Sequence, residues 1–240
     1  MAQFPGENMH MRPTMSSAVL RFERVALHLP GEVSPRFEGL SFMLPHASAI
    51  VLTGALGSGK SSALRMIIGS ERPTTGRVQV GEQDPAKLDQ GALEELRTHI
   101  GYMPENGALL SNLNLFENMV LPFRYHREPT EEEVHQRAAE TLELLAMPPL
   151  PAMIPPQASS TLRRQVALAR AVILRPPVLV LDSPVAGMDH ASAANLWRTL
   201  NRLRETMPVA IVIAADFPPQ QANLEHRLIN LSDHRARWTG

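Results

Sequence analysis

The chain has 240 residues, 44% of them hydrophobic, a formal net charge of −1 and no cysteine. That length suits one ordinary domain with a sizeable core and room for an inserted sub-domain. The near-neutral balance gives no global field toward nucleic acid or an acidic surface, and the missing cysteines exclude disulfides, thiol nucleophiles and Cys-ligated zinc.

Residues 1–17 hold four methionines, Pro5 and Pro13 but no apolar run. They read as a disordered N-terminal tail and not a signal peptide. No stretch approaches about 18 continuous apolar residues, so no membrane-spanning helix is predicted and the cytoplasm is the expected place of work. Residues 19–29 alternate and predict a strand, broken by Pro30, Gly31 and Pro35. A second strand is predicted at 40–44. A third, short and apolar, covers 49–52.

Gly54, Gly57, Ser58, Gly59, Lys60, Ser61 and Ser62 follow in a stretch that fits the P-loop pattern: Gly, four free positions, then Gly-Lys-Ser. The glycines let backbone N–H groups crowd around phosphate oxygens with no Cβ in the way. Lys60 can place a point charge on the β- and γ-phosphates, and Ser61 offers a hydroxyl to Mg²⁺. A helix predicted at 62–68, ended by Gly69, would point its positive N-terminal end at the same anion.

Beyond it a strand is predicted at 77–80, a helix at 88–97, and a strand and turn at 101–104. From Asn106 the character changes. Residues 131–145 form a charged, periodic helix that ends in a run of five prolines between 148 and 156. This section, about 106–165, could be an inserted helical sub-domain on a proline-stiffened tether. A helix is predicted at 159–174 with Ser159 as its N-cap. The buried strand 178–182 ends in the carboxylate of Asp182. A helix through Leu196, Leu200 and Leu203 and a buried strand at 210–214 complete the pattern. Apolar strands alternating with helices indicate an α/β fold, a largely parallel sheet with helices on both sides.

The P-loop, the strand ending at Asp182 and their spacing resemble the ATP-binding cassette (ABC) transporter ATPases, from about Val19 to Arg237. Gly69, Pro73, Gly76 and Gly81 follow that family's spacing, as do Ala169-Arg170-Ala171 and Pro176. The stretches 107–110 and 115–118 look most like the ATPase of the bacterial maintenance-of-lipid-asymmetry (Mla) phospholipid system. The resemblance implies a P-loop NTPase fold over 18–240, with a small antiparallel β part. It implies ATP and Mg²⁺ as cofactors, with Asp182 working beside Ser61 on the metal. It also implies a homodimer or heterodimer with a second ABC ATPase subunit and integral membrane permease subunits as partners, on the cytoplasmic face of the inner membrane. Nucleic acid is not an expected partner. The segment 106–123 would dock the permease, with Leu113, Leu115, Phe116 and Leu121 either as its anchors or as core of the helical lobe.

The sequence departs from the family's pattern at five places. Leu29 stands where an aromatic residue stacks on adenine, with His28 or Phe37 as candidate substitutes. Glu105 replaces the Q-loop glutamine and can still reach a Mg²⁺ water. The signature motif aligns with Ala158 to Leu162, where Ser159 survives but two glycines have become Ser160 and Thr161. Ser183 replaces the glutamate taken as general base, and a serine hydroxyl near neutral pH is no substitute. Ala215 replaces the switch histidine. Asp189 keeps the family's aspartate in the turn toward the dimer partner. The expectation is therefore a nucleotide-binding transporter subunit, with lipid as the cargo the Mla resemblance implies, weak or absent hydrolysis and no assigned catalytic residue. The alternatives are an active ATPase using another base, such as Glu105 or His190, and a soluble ABC protein without a permease.

Overall fold

The computed structural model describes residues 18–216, 226–231 and 237–239, so the expected tail at 1–17 lies outside the described residues. In chain order the first elements are β1 (Ala18–Leu27), β2 (Phe37–Pro45), β3 (Ala49–Thr53), α1 (Lys60–Ile67), β4 (Thr75–Val80), α2 (Gln90–Thr98) and β5 (Ile100–Met103). Then come α3 (Leu115–Arg127), α4 (Glu131–Leu144), α5 (Ser160–Val172), β6 (Val178–Asp182), α6 (His190–Thr206), β7 (Ala210–Ala214), β8 (Arg227–Asn230) and β9 (Arg237–Thr239). Strands β2, β1 and β4 form a small antiparallel sheet in that order. The main sheet runs β5-β6-β7-β3-β8-β9. It is parallel as far as β8, with β9 antiparallel at the edge.

Three strands, β3, β6 and β7, are buried along their whole length. Their alternating side chains serve two cores, because successive residues of a strand point to opposite faces. Val51, Leu179, Leu181, Ile211 and Ile213 face the core shared with α3, α4, α5 and α6. Ile50, Leu52, Val178, Val180 and Val212 face the core shared with α1 and the small sheet. Full burial on both faces explains why these strands read as unbroken apolar runs. The helices between β5 and β6 share the first of these cores, through Leu115, Met119, Val134 and Ala138.

Several boundaries differ from the sequence reading. β1 stops at Leu27, where the Arg36 amide closes a turn onto the Leu27 carbonyl. The first helix starts at Lys60 and not at 62, because Gly59 caps it in the left-handed conformation. α3 was not predicted as a helix, since Pro122 lies inside it. Its signal is at its start, where Asn114 and Glu117 form a capping box. The short strands β8 and β9 were also missed. The proline-rich run before α5 includes a single 3-10 turn at Pro155–Gln157.

Candidate nucleotide site

Parallel strands put their C-terminal ends on one edge of the sheet, and the singled-out residues gather there. Backbone bonds join those ends across the sheet. The Ala215 amide donates to the Leu52 carbonyl at 3.0 Å, and the Ser183 amide to the Ala214 carbonyl at 2.9 Å. The loop between β3 and α1 has φ of 146° at Gly54, 80° at Gly57 and 91° at Gly59, values that side chains resist. Space is short as well. A Cβ would stand 2.8 Å from Ser58 Oγ at Gly54, 2.8 Å from Arg36 Nη1 at Gly57 and 2.7 Å from the Phe37 ring at Gly59.

Lys60 is buried, and its ammonium meets three acceptors: the Gly54 carbonyl at 2.8 Å, the Ala55 carbonyl at 3.1 Å and Asp216 Oδ1 at 3.1 Å. All three N–H bonds are thus engaged, and an anion must take the place of one acceptor. Asp216 follows β7, the strand beside β3, so the topology delivers it to the loop. Ser61 Oγ donates to Asp182 Oδ1 at 3.1 Å across 121 positions of sequence. Asp182 is 3% exposed. Burial pushes its carboxyl above the ordinary range. The Ser61 bond pulls it down, the nearby Glu105 pushes it up, and Arg65 and Lys60 pull it down.

These features fit a magnesium nucleotide. Two oxygens about 3 Å apart can share an octahedral Mg²⁺ bound at roughly 2.1 Å. Ser58 Oγ is buried without a hydrogen-bond partner beside the loop amides. Among the described residues there is no cluster of three or more metal-ligating side chains. Mg²⁺ commonly takes one or two protein ligands and completes its shell with phosphate and water.

Glu105 is exposed just beyond β5, close enough to act on both Asp182 and Arg164. Arg164, on α5, donates to the Ser183 carbonyl at 3.0 Å. Burial lowers the Arg164 pKa, while Glu105 raises it. Ser183 is held in the left-handed region, φ 48°. Ala215 is buried, with a methyl group as its whole side chain. The segment after Glu105 is fastened from below. Arg170 donates to the Gly107 and Ala108 carbonyls, and buried Asn118 bonds both backbone groups of Leu110.

Among the remaining singled-out residues, Phe37 lies against the loop at Gly59, and the others sit on other elements or connections. Ser159 caps α5, its hydroxyl accepting from the Leu162 amide at 3.1 Å. Ser160 and Thr161 form the first turn, exposed and half-buried. Asp189 caps α6 and is held below the usual carboxylate range by bonds from the Ser192 hydroxyl and amide. Leu29 is half-buried against the core below the small sheet. Phe37 is fully buried and so cannot offer a face to a base, while His28 is exposed. Of the four apolar residues singled out in the 106–123 segment, Leu113 is half-buried, Leu115 is core, Phe116 stacks on His135, and Leu121 is exposed.

Arg36 and Arg164 were not singled out from the sequence. An arginine before a strand or within an amphipathic helix carries no spacing signal. Only their reach across the fold brings them here.

A strand–glycine loop–helix unit, with a hydroxyl and a buried carboxylate joined at the sheet edge, defines a P-loop nucleotide-binding fold. The ABC transporter family model matches residues 37–186, and the chain belongs to that family as an ATP-binding domain. It is 29% identical over 177 residues to the probable ribonucleotide transport ATP-binding protein mkl of Mycobacterium leprae, covering 74% of this chain and 51% of that protein. The chain thus spans about half the length of the first curated relatives it matches. It is 27% identical over 179 residues to the intermembrane phospholipid transport system ATP-binding protein MlaF of Haemophilus influenzae, covering 75% and 68%. The fold matches the dimeric cassette MJ0796, solved in a post-hydrolysis state with ADP and Pi, with a TM-score of 0.81 at 25% identity, over 92% of this chain and 97% of that one.

Proposed function

We propose that this chain is the nucleotide-binding subunit of an ABC transporter that holds Mg-ATP and hydrolyses it slowly or not at all. The observation that carries this reading is the Ser61–Asp182 bond at 3.1 Å beside a position, Ser183, that has no carboxylate. ATP with its Mg²⁺ supplies the phosphoryl group of the family's chemistry. The Gly54–Ser62 amides and Lys60 would hold the phosphates, and Ser61 with Asp182 would hold the metal. Glu105 lies within electrostatic reach of that carboxylate. Ser183 cannot take a proton from water, and general-base help is worth about 10²–10⁴-fold. Ala215 has no polar atom to place on a phosphate.

Ser159, Ser160 and Thr161 would face a partner cassette's nucleotide, with Asp189 in the turn toward that partner. Side chains at 160 and 161 keep the α5 N-terminus further from a phosphate than glycines would. The subunit would work on the cytoplasmic face of the inner membrane, coupled to or regulating permease subunits. No helix among the described residues is long and apolar enough to cross a membrane. The likeness to MlaF supports lipid as the cargo class. A fold spanning 18–240 with its helical section at about 106–165 fits this arrangement.

Equilibrium titration with Mg-ATP, followed by co-purification with integral membrane subunits, tests this reading. Binding in the wild type and its loss in Lys60→Ala are expected. Recovery of a soluble protein with no membrane partner would support the soluble alternative.

A second reading has Glu105, exposed just beyond β5, as the base. Turnover that disappears in Glu105→Gln while nucleotide still binds would establish it.

A further inference from the structure

Among the described residues, two buried side-chain polar atoms have no hydrogen-bond partner: Ser58 Oγ and Arg36 Nε. The first belongs to the phosphate cradle. The second lies outside it, on a residue one position before β2. An arginine that leaves Nε buried and unpaired is held at a cost in stability, so its other contacts are the place to look for a role.

Those contacts converge on one peptide of the P-loop. Arg36 Nη1 donates to the Gly57 carbonyl at 2.7 Å, and Nη2 donates to Glu32 in the β1–β2 connection. The Arg36 amide donates to the Leu27 carbonyl at 2.7 Å, which ties this corner to β1. A trans peptide unit is planar, and its carbonyl and N–H point opposite ways. With the Gly57 carbonyl drawn outward to Arg36, the Ser58 N–H points inward, to the Ala55 carbonyl at 3.1 Å. Lys60 Nζ meets that same carbonyl at 3.1 Å, so the inner side of the peptide is the lysine's side. Gly57, at φ 80°, has no side chain to resist rotation of this peptide. A flip would turn a carbonyl oxygen toward the anion and withdraw an N–H from it.

We propose that Glu32 and Arg36 form a latch on the P-loop: Glu32 holds the guanidinium, and the guanidinium holds the Gly57–Ser58 peptide with its N–H toward the phosphates. Arg36 is then a positioning residue that acts through the backbone. The close approach also gives a reason for glycine at 57, where a Cβ would stand 2.8 Å from Arg36 Nη1. Both side chains of the Glu32–Arg36 pair are 33% exposed, and such ion pairs contribute little to stability. Loss of the latch should therefore appear in binding and hardly in unfolding.

The inference rests on the nucleotide-binding reading of the same loop, and the test separates the two. The full-length protein and its Arg36→Ala and Glu32→Ala variants are titrated with Mg-ATP and with Mg-tripolyphosphate, which lacks the nucleoside, and their thermal midpoints are measured. Arg36→Ala is expected to weaken both ligands equally, by about 5- to 30-fold, the loss of one partly exposed charge-assisted bond. Its ligand-free midpoint should move by no more than about 4 °C. Glu32→Ala should weaken both ligands too, by a smaller factor, because the fork is no longer held. Tighter or unchanged binding in Glu32→Ala would overturn the latch, since a freed cation that met the phosphates itself would gain affinity. A loss confined to ATP would place Arg36 on the nucleoside, and a midpoint lowered by ~10 °C or more would make it a merely structural residue. Either result overturns the proposal, as does full affinity in Arg36→Ala. A wild type that binds neither ligand would overturn the nucleotide reading itself, and this inference with it.

Discussion

The two ends of the candidate site differ in what they are made of. At the loop 54–62 the phosphate cradle is built from backbone: glycines at positive φ, amides at a helix start, and one lysine held by three oxygens. At 183 and 215, and at 160–161, the family's chemistry depends on single side chains or on a glycine's missing one. On the proposed reading the first end is intact here, and the second departs from the family's pattern at each position. Holding a nucleotide needs a backbone shape that the fold supplies. Hydrolysing it needs particular atoms, and those can change without disturbing the sheet, as buried Ala215 and the left-handed Ser183 show.

The largest effect is expected from repairing the altered end. Ser183→Glu alone should raise ATP turnover little, since its backbone carbonyl stays tied to Arg164 and the other faults remain. Ser183→Glu with Ala215→His and glycines at 160 and 161 should give more, toward the roughly 10²–10⁴-fold worth of a general base. Parts that act as a unit are strongly non-additive. Steady-state phosphate release on both variants checks this. A single change restoring full turnover would break the comparison.

From the intact end, Lys60→Ala should weaken Mg-ATP by about 100-fold or more, the loss of strong charge-assisted bonds. Titration calorimetry reads it directly.

Asp182→Asn should have opposite effects on the two states. The raised carboxyl pKa means the folded protein binds its proton more tightly than the unfolded chain does. Ligand-free stability therefore falls as pH rises from the unfolded value toward the folded one, and the cost is fully expressed above it. Near neutral pH, Asp182→Asn should raise the thermal midpoint without ligand and remove that pH dependence. It should also abolish the part of nucleotide affinity that Mg²⁺ adds. A lower midpoint in the variant would contradict the burial argument.

The smallest effect is at Ser159. Its hydroxyl caps α5, so Ser159→Ala should cost about 1 kcal/mol of stability in urea unfolding. Nucleotide affinity of the isolated chain should not change.

The sequence carried the cradle and the buried strands because both are local. A glycine pattern and an apolar run each span fewer than about ten residues. The meeting of Ser61 with Asp182 was legible only through the family resemblance, since 121 positions separate them. Helix α3 was hidden by Pro122, and β8 and β9 by their shortness. Arg36 and Arg164 could not have been found by spacing. Each acts through a long or charged side chain that bridges elements far apart in the chain.

The most direct test is ATP turnover by the purified protein at saturating Mg-ATP, with the proposed permease partner present, against Lys60→Ala as the blank. The account predicts that the wild type binds nucleotide yet releases phosphate at a rate close to that blank. Turnover at ~1 s⁻¹ or faster, the lower end of ordinary enzyme rates, would show that another residue carries the chemistry and that the two ends of the site do not differ as argued.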